Sequence, residues 1–325
     1  MRHRLKLPIS TEQIRRIVRH QFGSKAKVTS LSSIRGGLFN TAYKLRLNDH
    51  QTVVLRIAPP KNKPLLVCET ALLEREIYFS HRLREYGLPV PKLLCVDLSK
   101  TIIDRNYIIS EFCEGYNAFY RLKQLTPREQ DSVFGELGDY ARRIHSIKNP
   151  KGHFGYPAPL TPHRRWSDFI RWHLLSLCEE LEAHPYLSLP DHISVPSILD
   201  ELNDVLDEIT TPRLVHGDLW LRNILIEQRH GECRITAILD WDRSLWGDPY
   251  FEWILHGLDL RPVFWEKYGS EIANSESHQK RRLLYKAGGC LQACLEDNLH
   301  FRLKKQSIQM LGYAVGNFDE LLKLL

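Results

Sequence analysis

The chain has 325 residues and a mass of 38.0 kDa, room for about two domains or lobes at roughly 150 residues each. Hydrophobic residues make up 43% and charged residues 26%, ordinary globular usage that excludes long-range disorder and fibrous repeats. The net charge of +6 is uneven: residues 1–60 hold 12 Lys/Arg against 2 Asp/Glu, so they carry +10 and residues 61–325 sum to −4.

The basic front end could face nucleic acid or an anionic surface, but its charges are interspersed, without a dense run or interleaved aromatics. A solvated face is the expectation, with no nucleic-acid partner. No apolar run approaches the ~18 residues of a membrane span, and the basic amino terminus leads into no apolar signal core. A cytoplasmic location without a membrane partner is therefore expected. The seven cysteines (68, 95, 113, 178, 233, 290 and 294) are scattered and complete no metal spacing, which predicts reduced thiols.

In chain order, Ser10-Thr11-Glu12-Gln13 reads as a capping box opening a helix with Ile14, Ile17, Val18 and Phe22 on one face. Strands follow at Val28 to Ile34, Thr41 to Leu47 and Thr52 to Ile57, separated by Gly36-Gly37 and Asn48-Asp49 turns. A helix is predicted from about Cys68 to Tyr86, stopped by Gly87-Leu88-Pro89. Two more strands, Leu93 to Val96 and Tyr107 to Phe112, complete a β-rich part. Helical periodicity dominates afterwards, from Thr126-Pro127-Arg128-Glu129 onward, with further helices at Trp166 to Ala183, Pro196 to Ile209 and most of 278–325. One β island, Arg213 to Asp240, interrupts them.

The chemistry concentrates in that island. Two apolar strands flank the turn Gln228-Arg229-His230-Gly231, which predicts a hairpin. If Ile226 pairs with Ile235, Asp240 falls opposite Leu221, give or take about two residues, near Asn223 and the loop bearing Asp218. A carboxylate and an amide oxygen converging in this way suit a hard cation such as Mg²⁺. Asp218, five residues before Asn223, could then orient or deprotonate an incoming hydroxyl.

His216-Gly217-Asp218-Leu219, Asn223, the triplet Asp240-Trp241-Asp242 and Gly247-Asp248-Pro249 together resemble the motifs of the aminoglycoside phosphotransferase family, small-molecule kinases with the protein-kinase fold. The resemblance spans most of residues 28–260. It implies an α+β, bilobal protein-kinase-like fold, with a small β-rich nucleotide-binding lobe over residues 1–113 and a mainly α lobe over 114–325. By the same resemblance Asp218 is the catalytic base, Asn223 and Asp240 bind Mg²⁺, and His216 braces the loop. Asp242 is open between a role beside the metal or substrate and a loop-bracing one, and Asp248 is expected to tie down its own turn.

The remaining parts follow from local chemistry read beside the resemblance. Gly36 and Gly37 let backbone N–H groups approach phosphate oxygens, and with Asn40 they match the family's G-G-x-x-N loop. Arg56 stands where protein kinases carry a lysine and can hold phosphates with a bidentate fork. On the following helix, at about 100° per residue, Leu72, Leu73, Phe79 and Leu83 all fall within about 60° of Glu76. Glu74 and Glu85 point the other way. A carboxylate directed at a core needs a cation, and Arg56 is its predicted partner. Residues Glu111 to Cys113 match the inter-lobe hinge, where a nucleotide base would bond to backbone.

The expected function is Mg²⁺- and ATP- (or GTP-) dependent transfer of a γ-phosphate to a hydroxyl of a small molecule, by a monomer or homodimer. The acceptor is open: relatives include kinases of fructosamine, choline, homoserine and macrolides as well as aminoglycosides. Glu252, Asp259, Glu296 and Asp297 are candidate pocket acids, with solvated surface charges as the plainer reading. Trp166, Trp172, Trp253 and Trp265 are expected mainly in the core. A catalytically inactive nucleotide-binding scaffold and a nucleic-acid binder are the competing classes.

Overall fold

The computed structural model describes residues 5–325 except 35, 38, 158, 185, 230, 258, 259 and 270–274. Ser10 opens α1 (Thr11–Phe22) with the expected capping box: its Oγ accepts the Gln13 N–H at 3.1 Å, and Gln13 Oε1 accepts the Ser10 N–H at 2.9 Å. The buried stripe Ile14, Ile17 and Val18 packs on one face of a five-stranded sheet. That sheet contains β1 (Val28–Ile34), β2 (Thr41–Leu47), β3 (Thr52–Ile57), β4 (Leu93–Asp97) and β5 (Tyr107–Glu111), in the order β1-β2-β3-β5-β4 with antiparallel neighbours. Along β3 the residues alternate. Val53, Leu55 and Ile57 enter the core beneath α1, so Arg56 faces the other side.

Against that other side lies α2 (Leu72–Leu83). The single helix predicted over 68–86 is divided in three: a 3-10 turn at Val67–Glu69, α2 itself, and a second 3-10 turn at Arg84–Tyr86. Thr70 is extended and Ala71 left-handed at φ 55°. The break follows from Glu69, whose carboxylate turns back to accept the Leu66 N–H at 2.8 Å and pairs with His300, so residues 66–69 close on themselves.

Beyond β5 come β6 (Tyr116–Asn117), α3 (Ala118–Arg121), α4 (Pro127–Ser146) and α5 (Trp166–Glu182). The helix expected at 196–209 is two short ones, α6 (Val195–Glu201) and α7 (Asn203–Asp207), broken at Leu202. The β island holds β7 (Arg213–Val215), β8 (Ile224–Arg229) and β9 (Glu232–Ile238), and β10 (Leu245–Gly247) pairs antiparallel with β7. The remainder is α8 (Ile254–Gly257), α9 (Pro262–Tyr268), α10 (Glu276–Glu296) and α11 (Lys304–Leu322). A π-helical turn, Asp297–Phe301, and a left-handed Arg302 interrupt what the sequence predicts as nearly continuous helix.

Two cores fill the larger, mainly helical part. One joins α5, α6, α10 and α11, with Trp166 at its centre as expected; the other joins α4, α9 and the β8–β9 hairpin. Together with the sheet they make an α+β fold of the protein-kinase type. All seven cysteines are free thiols.

Candidate active site

The hairpin register explains how the site assembles. Ile226 pairs with Ile235 as predicted, and an irregularity between Leu225 and Ile226 shifts the next pairs to Ile224 with Ile238. The Leu239 N–H then donates to the Asn223 carbonyl at 2.8 Å, so Asp240 emerges beside Asn223. Asp240 is left-handed at φ 58°, ψ 60°, uncommon for a non-glycine residue and frequent at functional sites. His230, in the predicted turn, lies outside the described residues.

Asn223 donates from Nδ2 to the Asp218 carbonyl at 2.8 Å and to Asp218 Oδ2 at 2.7 Å. The loop is held from below by His216. Its Nδ1 accepts the Asp218 N–H at 3.2 Å, which leaves the proton on Nε2 to donate to the Leu239 carbonyl at 3.0 Å. Burial lowers the imidazole's proton affinity, in keeping with this neutral ring. Trp241 covers it, ring centroids 4.4 Å apart, and anchors its own Nε1–H on the Ile238 carbonyl at 2.9 Å.

Charge accumulates around Asp218. Burial pushes its carboxyl up to about 7, against the opposing pull of Arg243 and the Asn223 hydrogen bond; Asp240 and Asp242 push it further up. Asp242 is buried as well, and desolvation and the charge of Asp240 raise its carboxyl. Three carboxylates whose charges act on one another in this way call for a cation.

On the sheet side, Arg56 supplies one. Its Nη2 pairs with Glu76, buried on the inner face of α2, and its Nη1 donates to Asp240 Oδ1 at 2.7 Å. Glu74 points elsewhere and accepts from Asn106 Nδ2 at 2.8 Å, as the helical wheel requires. Gly36 and Gly37 take φ values of 98° and 59° with nothing near where a Cβ would stand, so conformation alone calls for glycine there. Asn40 Oδ1 is buried without a partner. Arg35 and Leu38, in the same turn, lie outside the described residues.

At Glu111 to Cys113 the chain leaves β5. The Glu111 side chain is used locally, accepting from Arg84 Nη1 at 3.1 Å and from the Lys92 N–H at 2.9 Å. The Phe112 N–H donates to Thr52 O at 3.3 Å. Asp248 ties its turn as expected, accepting the Tyr250 N–H at 3.0 Å and the Tyr285 hydroxyl at 2.9 Å.

Two of the candidate pocket acids are neither free in a pocket nor solvated. Glu252 is fully buried and accepts the backbone N–H groups of His216 at 2.7 Å, Gly217 at 3.1 Å and Leu219 at 3.2 Å. Burial works against its charge, yet His145, His216 and the Leu219 amide together hold its carboxyl below the ordinary value. Glu296 receives Arg243 Nη1 at 2.9 Å, and both side chains are mostly buried. Asp259 lies outside the described residues. Sequence reasoning also passed over Arg243, the fully buried Arg75 and the buried Glu69–His300 pair. The available signal for Glu252 was its setting, a lone acid within Tyr250-Phe251-Glu252-Trp253-Ile254 just after Gly247-Asp248-Pro249.

A sequence model described as "Phosphotransferase enzyme family" matches residues 30–284, which include every element just described from the glycine turn to Glu252. The chain belongs to this phosphotransferase enzyme family. Among curated relatives, mouse "Acyl-CoA dehydrogenase family member 10" is 26% identical over 217 residues, 66% of this chain and 19% of that protein. A protein named "Probable ketoamine kinase" from Synechocystis is 24% identical over 285 residues, 86% of this chain and 88% of that one. The first of these relatives is thus far longer than the part the chain matches. In fold, the family member resembles a thermostable mutant of an aminoglycoside phosphotransferase in ternary complex with AMP-PNP and hygromycin B. That likeness has a TM-score of 0.60 at 21% identity and covers 97% of this chain and 99% of that one.

Proposed function

We propose that this family member transfers the γ-phosphate of ATP or GTP to a hydroxyl of a small molecule, with a nucleotide-binding lobe at 1–113 and a catalytic lobe at 114–325. The observation that carries the reading is the joint placement of Asp218, Asn223 and Asp240 by one hairpin, with Arg56 reaching Asp240 across from the sheet. Asp218, its carboxyl raised to about 7, is poised to accept a proton near neutral pH, the condition for general-base work. Arg56, oriented by Glu76, the Gly36-Gly37 turn and Asn40 hold the phosphates. The base lies against backbone between Glu111 and Cys113, and because the Phe112 amide is engaged, the Glu111 carbonyl and the Cys113 amide are the groups left to meet it.

The residues fit a divalent ion. Asn223 Nδ2 is occupied by Asp218, which leaves Oδ1 free to act with the Asp240 carboxylate as a hard-oxygen pair suited to Mg²⁺. Among the described residues no group of three His, Cys, Asp or Glu is placed to hold a metal on its own. That agrees with an ion completed by phosphate oxygens and water. When bound, such an ion neutralises charge on the transferring phosphate.

Two of the candidate pocket acids are committed elsewhere, Glu252 to the loop and Glu296 to Arg243. No helix among the described residues is long and apolar enough to cross a membrane. The test is nucleotide consumption with Mg²⁺ across sugars, ketoamines, hydroxy acids, amino alcohols and aminoglycosides, repeated with Asp218→Asn. Phosphorylated product that forms equally well with the variant would refute the assignment of Asp218.

A further inference from the structure

The basic front of the chain offers more cations than Arg56, and part of it runs directly beneath the glycine turn. Leu5 is buried against Phe39 and Leu72. The Leu7 carbonyl accepts Thr41 Oγ1 at 3.2 Å and Arg105 Nη1 at 2.9 Å, and the Ile9 N–H donates to Tyr43 Oη at 3.1 Å. Residues 5–9 are therefore a fastened strap, and Lys6 sits between two anchored neighbours. Its ammonium donates to the carbonyl of Gly36. Burial weakens its hold on the proton, and the carboxylate of Asp240 is near enough to oppose that loss.

Lys6 thus holds its charge against the glycine turn, which is expected to flank a triphosphate, within electrostatic reach of Asp240. The other cation there, Arg56, already has both terminal nitrogens engaged, one by Glu76 and one by Asp240. A single guanidinium shared by two carboxylates is poor compensation for a triphosphate. An ammonium carries three donors, and Gly36 uses one.

We propose that Lys6 is a second phosphate-binding residue of the nucleotide cleft, directed from the strap onto the outer phosphates of a bound nucleoside triphosphate. The inference rests on the nucleotide-binding reading above. It assigns to this chain a cation that arrives from ahead of the sheet, in addition to the one on β3.

The test is calorimetric titration of the full chain with ATP plus Mg²⁺ and, separately, with AMP. Lys6→Gln is expected to weaken ATP about tenfold, the loss of one charge-assisted hydrogen bond, and to leave AMP unchanged. Lys6→Arg is expected to recover most of the ATP affinity. Unliganded melting temperatures check that each variant is folded, and Leu5→Ala, which loosens the strap and keeps the ammonium, should also weaken ATP more than AMP. ATP binding by Lys6→Gln at the wild-type level, or equal weakening of ATP and AMP, would overturn the proposal. Wild-type protein that binds neither Mg·ATP nor Mg·GTP would instead overturn the nucleotide reading itself, and Lys6 with it.

Discussion

On the sheet side of the cleft, charge is balanced by side chains: one guanidinium, Arg56, holds Glu76 and Asp240 at once. On the helical side it is balanced by backbone: Glu252 accepts three amide N–H groups of the loop that carries Asp218, with His145 Nε2 a further 3.6 Å away. The first arrangement can exchange partners when phosphates arrive, because side chains rotate and Asp240 is about one-third exposed at 36%. The second cannot, because moving Glu252 would orphan amides that define the loop. One cleft therefore has an adaptable wall and a rigid wall, and proton acceptance is assigned to the rigid one.

The largest effect should come from the group the rigid wall positions. Asp218→Asn is expected to lower turnover by about a thousandfold while nucleotide affinity, read by titration, stays near wild type. A fall of less than about tenfold would remove Asp218 as the base. Next, Glu252→Ala should cost about 3 kcal/mol or more by leaving buried amides unpaired, read as a drop in chemical-denaturation stability. A loss below about 1 kcal/mol would show that the loop does not depend on it.

Gly217→Ala should follow at about 2–3 kcal/mol. Gly217 has φ 79°, and a Cβ there would stand 2.5 Å from the Arg243 carbonyl oxygen, which is backbone and has no rotamer to yield. The adaptable wall should be gentler. Arg56→Lys keeps the charge and loses the fork, so stability should change by about 1 kcal/mol or less while Mg·ATP affinity falls severalfold. Equal losses of stability for Arg56→Lys and Glu252→Ala would erase the contrast between the walls.

The smallest effect is one of pH. The folded-state carboxyl of Glu252 lies below its ordinary value, so it contributes stability above the unfolded value of about 4.3 and loses that contribution as pH falls through the folded value. The melting-temperature gap between wild type and Glu252→Gln should therefore narrow on acidification from neutral pH. A constant gap would show that the carboxylate's charge is not what the loop uses.

Period-2 alternation in β3 and the helical wheel of α2 were enough to bring Arg56 and Glu76 together, because both elements are regular and each residue's face follows from its number. The hairpin register was legible to within one residue, displaced only by the irregularity at Leu225/Ile226. The helix breaks were not legible. Thr70-Ala71 gives way because Glu69 is drawn to His300, more than two hundred residues away in the chain. Arg243 and Lys6 escaped notice for the same reason, as did the pairing of Glu296 with Arg243, since each owes its place to a partner distant in sequence.

What the sequence alone determined was the local elements and the candidate site residues they carry, since spacing within a strand, helix or tight turn is a short-range property of the backbone. Only the tertiary structure decided which charges became scaffold and which stayed free. Burial and long-range pairing set the cost of every ionised group, and neither Glu252 beneath the loop nor Lys6 beside Gly36 has that environment written in its neighbours.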